Sequence, residues 1–162
     1  MKGQANILSS LLEDIMDLTL IINRLLAEFA TKHGLPSFAL NEEGVAALCF
    51  DESLQLALIL VPERDHLVLQ VDVAELHQVG EGIFRQLASF NRHWYQFNLH
   101  FGFDEASLMV QLYRQMSARQ LTLAVLEESL ASMLEHAEFW QDLLQSPPHI
   151  GQHHDEMQGV RV

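Results

Sequence analysis

VAALCFDESLQLALILVPERDHLVLQVDV, residues 45–73, decides the fold. Val45 to Phe50 is wholly apolar and of strand length, and Asp51-Glu52-Ser53 closes it as a turn. From Leu54 onward the side chains alternate, with Leu54, Leu56, Leu58 and Leu60 on one face and Gln55, Ala57, Ile59 and Val61 on the other. Both faces are nearly apolar, so this strand is either covered twice or offers one face to a partner. Pro62-Glu63-Arg64-Asp65 breaks the run, and His66 to Val73 alternates again with Leu67, Leu69, Val71 and Val73 inward. Links this short join antiparallel neighbours, because a parallel crossover needs about a dozen residues. The sheet is therefore built from hairpins.

Upstream the period is helical. Leu11, Ile15, Leu18, Ile22, Leu25 and Phe29 recur alternately four and three residues apart, which keeps them on one stripe, with Ile21 and Leu26 beside it. Lys32 and His33 suit a last turn, Gly34 a left-handed cap, and Pro36 cannot continue the helix. Phe38 and Leu40 then alternate before a turn at Asn41-Glu42-Glu43-Gly44. Met16 offers an alternative start to the chain, so residues 1–15 read as an extension that continues the first helix.

Downstream, Gly80-Glu81-Gly82 introduces a short helix with Ile83, Leu87, Phe90 and Trp94 at helical spacing and Phe84 and Ala88 alongside. Aromatic side chains on so short a helix either seal a core or carry an interface. Phe97, Leu99, Phe101 and Phe103 alternate as a strand, Asp104 to Ser107 turns, and Leu108, Val110 and Leu112 complete a hairpin. Ser117 and Gln120 form a capping-box pattern, with Met116 and Leu121 as the hydrophobic staple. They predict the start of the longest helix, whose buried stripe is Leu123, Leu126, Leu130, Met133, Ala137, Trp140 and Leu144. Pro147-Pro148 ends it, and residues 146–162 read as a polar, aperiodic tail. The class is α+β, an antiparallel sheet with an N-terminal helix, a short central helix and a long C-terminal helix in one domain over 16–145.

Composition narrows the functions. With 162 residues, 49% of them hydrophobic and 19% charged, the chain builds one core and leaves apolar surface over. Its net charge of -13 disfavours nucleic acid and anionic membranes as partners. The one cysteine, Cys49, precludes an intrachain disulfide and suits a reducing compartment. Ile7 to Met16 is interrupted by Glu13 and Asp14, and no stretch approaches the roughly 20 apolar residues of a membrane span. A cytoplasmic location is expected.

A search for chemistry is negative. Cys49 lies in an apolar strand without a cationic neighbour in sequence and reads as a core residue. Gly80-Glu81-Gly82 lacks the third glycine and the parallel crossover of a dinucleotide site. His149, His153 and His154, with Asp155 and Glu156, sit in the aperiodic tail, where nothing preorganises a metal site. His93 and His100 read as surface or interface residues, and Asp51-Glu52 and Asp104-Glu105 as turn residues. No catalytic residue, cofactor or metal is predicted, and the chain is read as a protein-binding module, not an enzyme.

Several runs carry a resemblance: Asn23 to Ala30, Gly34-Leu35-Pro36, Asp51-Glu52, Leu54 to Val61, Gly80 to Trp94, Leu99 to Glu105, and His136 to Trp140. Through them the sequence resembles the class I type III secretion chaperones (CesT-like), most closely the regulatory member that acts as an anti-anti-activator. The resemblance implies a cytoplasmic homodimer with a twisted antiparallel sheet in each protomer, using no cofactor. It implies that the client is a small secreted regulatory protein. When free of it, the chaperone binds an anti-activator protein and so derepresses transcription of the secretion genes. It places the client-binding surface at Leu25, Phe29, Phe38, Leu56, Leu58 and Leu69, and the dimer interface at Phe84, Leu87, Phe90 and Trp94. An effector chaperone without a regulatory role, or a dimeric structural protein without a client, would show the same sequence pattern.

Overall fold

The computed structural model describes residues 2–50, 53–77 and 81–145, with side chains of the first helix described from Ile7 onward. Helix α1 runs from Lys2 to His33, followed by strands β1 (Val45–Phe50), β2 (Leu54–Val61) and β3 (His66–Glu75). Helices α2 (Glu81–Asn91) and α3 (Trp94–Phe97), strands β4 (His100–Asp104) and β5 (Met109–Ser117), and helix α4 (Leu123–Gln145) follow in the described residues. The sheet order is β1-β2-β3-β5-β4, and every pair is antiparallel.

Register follows the leucines. Leu56 faces Val71, Leu58 faces Leu69 and Leu60 faces Leu67, so the inward positions of two strands meet on one side of the sheet. Val110 and Leu112 of β5 join them, and all of these except Leu60 are at most 1% exposed. Helix α4 lies along β3 on this face and α1 packs beside it. A bulge between Asp72 and Ala74 lets β3 bury both Val73 and Ala74. The other face is left open by the described residues. There Tyr113 Oη donates to Gln111 Oε1 (2.6 Å), Gln111 Nε2 donates to Asp72 Oδ1 (2.8 Å), and the His100 ring stacks on Tyr113 at 5.3 Å. Gly102 makes room for that stack, since a Cβ would lie 2.8 Å from Tyr113 Cε2.

The longest helix is α1, with 32 residues, and not α4, with 23. Five further details differ from the sequence reading, each for a local reason. The α1 stripe is rotated: Leu18, Ile22, Leu26 and Phe29 are buried, whereas Leu25 is half-buried and Ile21 exposed. Phe38 and Leu40 lie in a loop, because the Leu40 N–H donates to Asn23 Oδ1 (2.8 Å) and not to a strand. The central helix is broken after Asn91, whose side-chain amide brackets Phe101 by donating to its carbonyl (2.9 Å) and accepting from its N–H (2.7 Å). Trp94 to Phe97 thus form a separate turn closed by Asn98 at φ 51, and β4 begins at His100.

The last helix starts at Leu123, with Thr122 as its cap, since Val125 N–H donates to Thr122 Oγ1 (3.3 Å). Ser117 Oγ instead donates to Asp65 Oδ2 (2.8 Å) and accepts from Gln120 N–H (3.4 Å), so the capping-box residues close the β5–α4 turn. Cys49 is exposed, because the alternation of β1 sends Ala46, Leu48 and Phe50 to the helical side and Cys49 to the open face. Asp51-Glu52, Gly80 and the histidines of the tail lie outside the described residues.

Candidate functional site: a groove beside an open strand edge

The groove forms where the C-terminal turns of α1 approach α4. Phe29 and Leu35 line one side, Leu130, Ala131 and Leu134 the other, and Phe50 of β1 closes the end, enclosing about 360 Å³. Asn23 pins the loop at Leu40, and Phe38 meets the Phe29 ring edge-on at 6.4 Å. The rim is charged. Glu127 of α4 accepts from Lys32 Nζ (2.8 Å) and lies 2.7 Å from His33 Nε2, which clasps α4 to the end of α1. These two contacts, Lys32 first, hold the Glu127 carboxyl below the usual carboxylate range. An apolar trough with a polar rim suits burial of a side chain from a partner.

Beside the groove, β1 is an edge strand. Leu60 N–H donates to the Gly44 carbonyl (2.8 Å), so in the antiparallel ladder Ala46 and Leu48 bond toward β2 while Val45, Ala47 and Cys49 turn their main-chain groups outward. The Asn41 side chain accepts from Val45 N–H (2.9 Å) and the Asn41 N–H donates to the Val45 carbonyl (2.9 Å), closing that end. Ala47 and Cys49 remain as an open edge onto which an extended chain can add a strand. The opposite edge, β4, is closed at Phe101 by the Asn91 bracket. Strand addition is therefore favoured at β1, next to Phe50 and the groove.

A second surface is aromatic. Trp94, Tyr95 and Phe97 of α3, Phe84 of α2, and Phe139 and Leu143 of α4 are all exposed. Between them Gln86, Phe90, His93 and Trp140 line a hollow of about 460 Å³. Phe90 stacks on Phe97 (5.8 Å) and meets Phe101 and Trp140 edge-on, so it cements the hollow floor.

The sequence-predicted residues separate accordingly. Phe29 lines the groove, whereas Phe38 does not and packs edge-on against the Phe29 ring, and Leu25 packs half-buried against the core. Leu56, Leu58 and Leu69 are interior, at 1%, 0% and 0% exposure, because their face of the sheet lies under the helices. Burial removes them from any surface a client reaches; the exposed alternates of β1 and β2 are on the other face. In the aromatic set, Phe84 and Trp94 are exposed, Leu87 is buried and Phe90 half-buried. Sequence reasoning missed Leu35, Phe50, Leu134, Phe97 and Phe139 as surface-forming residues. Phe139 carried a signal, since it is an aromatic side chain standing off the buried stripe of α4. The tertiary meeting of α1 with α4 had none.

Among the described residues no group of three His, Cys, Asp or Glu side chains could hold a metal ion, and no helix is long and apolar enough to cross a membrane. A groove, an open strand edge and an exposed aromatic face are surfaces of the kind that bind other polypeptides. The family profile of the Tir chaperone protein (CesT) family matches residues 24–141, and the chain belongs to this family. It is a chaperone by family. The chain is 61% identical over 129 residues, 80% of its length and 89% of the relative's, to the transcriptional anti-antiactivator ExsC of Pseudomonas aeruginosa. A chain in the crystal structure of the ExsC–ExsE complex matches with a TM-score of 0.75 at 60% identity, over 78% of this chain and 95% of that one. A chain of the HopA1–SchA chaperone–effector complex shares the fold, with a TM-score of 0.66 at 18% identity over 76% of this chain and 95% of that one.

Proposed function

We propose that this protein is a cytoplasmic, homodimeric type III secretion chaperone that holds a small secreted regulator, a counterpart of ExsE, in a largely extended state. Freed of that client, it binds an anti-activator and thereby releases transcription of the secretion genes. The observation that carries the reading is the groove of Phe29, Leu35, Phe50 and Leu134 lying directly beside the open edge at Ala47 and Cys49. A client strand added to β1 places alternate side chains toward the groove, so main-chain hydrogen bonds supply affinity and the groove supplies selectivity. Identity of 61% to an anti-antiactivator supports the regulatory role. A net charge of -13 fits control exerted on a protein and not on DNA. The exposed aromatic face of α2 and α3 is the surface we assign to the second protomer.

The test is co-purification of the chain with its secreted regulator and, separately, with its anti-activator. Each is expected as a stoichiometric complex, and adding the regulator is expected to displace the anti-activator. Leu35→Asp and Leu134→Asp place a carboxylate in the groove and should weaken client capture about tenfold or more, the equivalent of about 1.4 kcal/mol. A chain that captures neither protein, or groove variants that bind as tightly as the parent, would refute the assignment.

A further inference from the structure

Helix α3 is four residues long and yet carries three exposed aromatic side chains, Trp94, Tyr95 and Phe97. A single turn of helix has no stability of its own in water. Something must hold it, and hydrogen bonds from two side chains do so. Asn98 Nδ2 donates to the Gln115 carbonyl (2.9 Å), tying the end of the turn to β5. The other is Arg114, which stands on the helical face of β5 opposite Leu69. Its Nη2 donates to the Phe97 carbonyl (3.1 Å) and to Ser132 Oγ (3.2 Å), and its Nη1 donates to the Ser129 carbonyl (3.3 Å).

The acceptors are unusual for a half-buried guanidinium: two main-chain carbonyls and a hydroxyl, and no carboxylate. Nε is buried without a hydrogen-bond partner among the described residues, and burial, opposed by the nearby Glu128 carboxylate, lowers the affinity of the side chain for its proton. A cation held this way costs desolvation and contributes little to stability that an apolar side chain would not. What it does contribute is geometry. The planar fork reaches α3 and α4 at once from β5, and it meets the Phe97 carbonyl at the negative end of the turn. Phe97 in turn stacks on Phe90 and lies 5.7 Å from the His136 ring.

We propose that Arg114 is the positioning residue of the homodimer face, orienting the Trp94–Phe97 turn against α4 so that its aromatic side chains present one rigid surface to the second protomer. This rests on the reading of the aromatic face as the dimer interface. Preorganisation of this kind strengthens association without adding a contact, because the turn is ordered before the partner arrives.

The test is Arg114→Met in the full chain, with Arg114→Lys and Trp94→Asp alongside. Methionine fills the volume among apolar neighbours but bonds neither helix, so thermal stability should match the parent or exceed it. The dimer dissociation constant, from sedimentation equilibrium, should rise about tenfold or more, the equivalent of about 1.4 kcal/mol. Amide exchange should accelerate at Asn98 and Leu99, whose N–H groups close the turn on the Trp94 carbonyl. Arg114→Lys keeps the charge but cannot span three acceptors, and should fall between. A role confined to stability would instead lower the melting temperature and leave the exchange pattern unchanged, and that result overturns the proposal. So does a dissociation constant within about twofold of the parent for Arg114→Met while Trp94→Asp dissociates the dimer. If Trp94→Asp also leaves the dimer intact, the interface reading falls and the positioning role falls with it.

Discussion

At the scale of single residues, the imidazoles record how the aromatic region is built. His136 sits against the Phe90 and Phe97 rings, and burial first, then the neighbouring Arg114 guanidinium, hold its pKa below the ordinary imidazole value, with Glu135 opposing. His100, stacked on Tyr113, is lowered by burial. A base depressed in this way is neutral when folded and takes up its proton on unfolding at higher pH, so the unfolded state binds more protons. Stability from these groups is therefore present above the ordinary imidazole pKa and lost as pH falls through it toward the folded value. The melting temperature is expected to fall between about pH 7.5 and pH 5.5, and His136→Asn should shallow that slope with His100 supplying the remainder. An unchanged slope in the variant would show that His136 does not titrate with unfolding. Phe29 illustrates the opposite limit: at 5% exposure it is part of the core, and a carboxylate there would test folding and not client capture.

Among the elements, α4 shows how a local signal is outcompeted. Ser117 and Gln120 satisfy a capping-box pattern, but Asp65, held at φ 52 after the turn at Pro62–Arg64, accepts from Ser117 Oγ and from the Arg119 N–H (2.9 Å). With Ser117 committed across the sheet, the cap passes to Thr122. Thr122→Ala should lower stability by about 1 kcal/mol, whereas Gln120→Ala should change it by less than about 0.5 kcal/mol, read as urea midpoints. The reverse order would restore the capping box.

The same competition explains what the sequence could and could not disclose about the elements. The meander over residues 45–73 was legible because alternation and two short turns admit one topology, and the leucine faces then set the register. Gly34 marked the end of α1 through its left-handed conformation, φ 64. The break between α2 and α3 was not legible, since it depends on Asn91 reaching a strand ten residues on. Which face of β2 lies beneath the helices was also hidden, because Leu56 and Ile59 are equally apolar and only the packing of α1 and α4 chooses between them.

For the molecule as a whole, one sheet with helices on a single side bears on how many surfaces it can offer. The groove and open edge lie at the β1 side, while the aromatic face lies at the β4 side, at the other end of the order β1-β2-β3-β5-β4. In the proposed dimer, a second protomer on the aromatic face would leave both grooves free for a client. Within the aromatic set, burial predicts two distinct failures. Phe90 contacts Phe97, Phe101, His136 and Trp140, so Phe90→Asp strips four ring contacts and sets a carboxylate among them at a half-buried position, and should lower the melting temperature of the protomer. Trp94 is 53% exposed and, among the aromatic rings of the described residues, touches only Tyr95. Trp94→Asp should keep the parent's circular dichroism and melting of the protomer while raising the dimer dissociation constant about thirtyfold, close to 2 kcal/mol for an interface anchor. Sedimentation of both variants decides the matter: a folded dimer with Asp at position 94 would move the second protomer elsewhere, to the open face of the sheet around Ile59 and Val68.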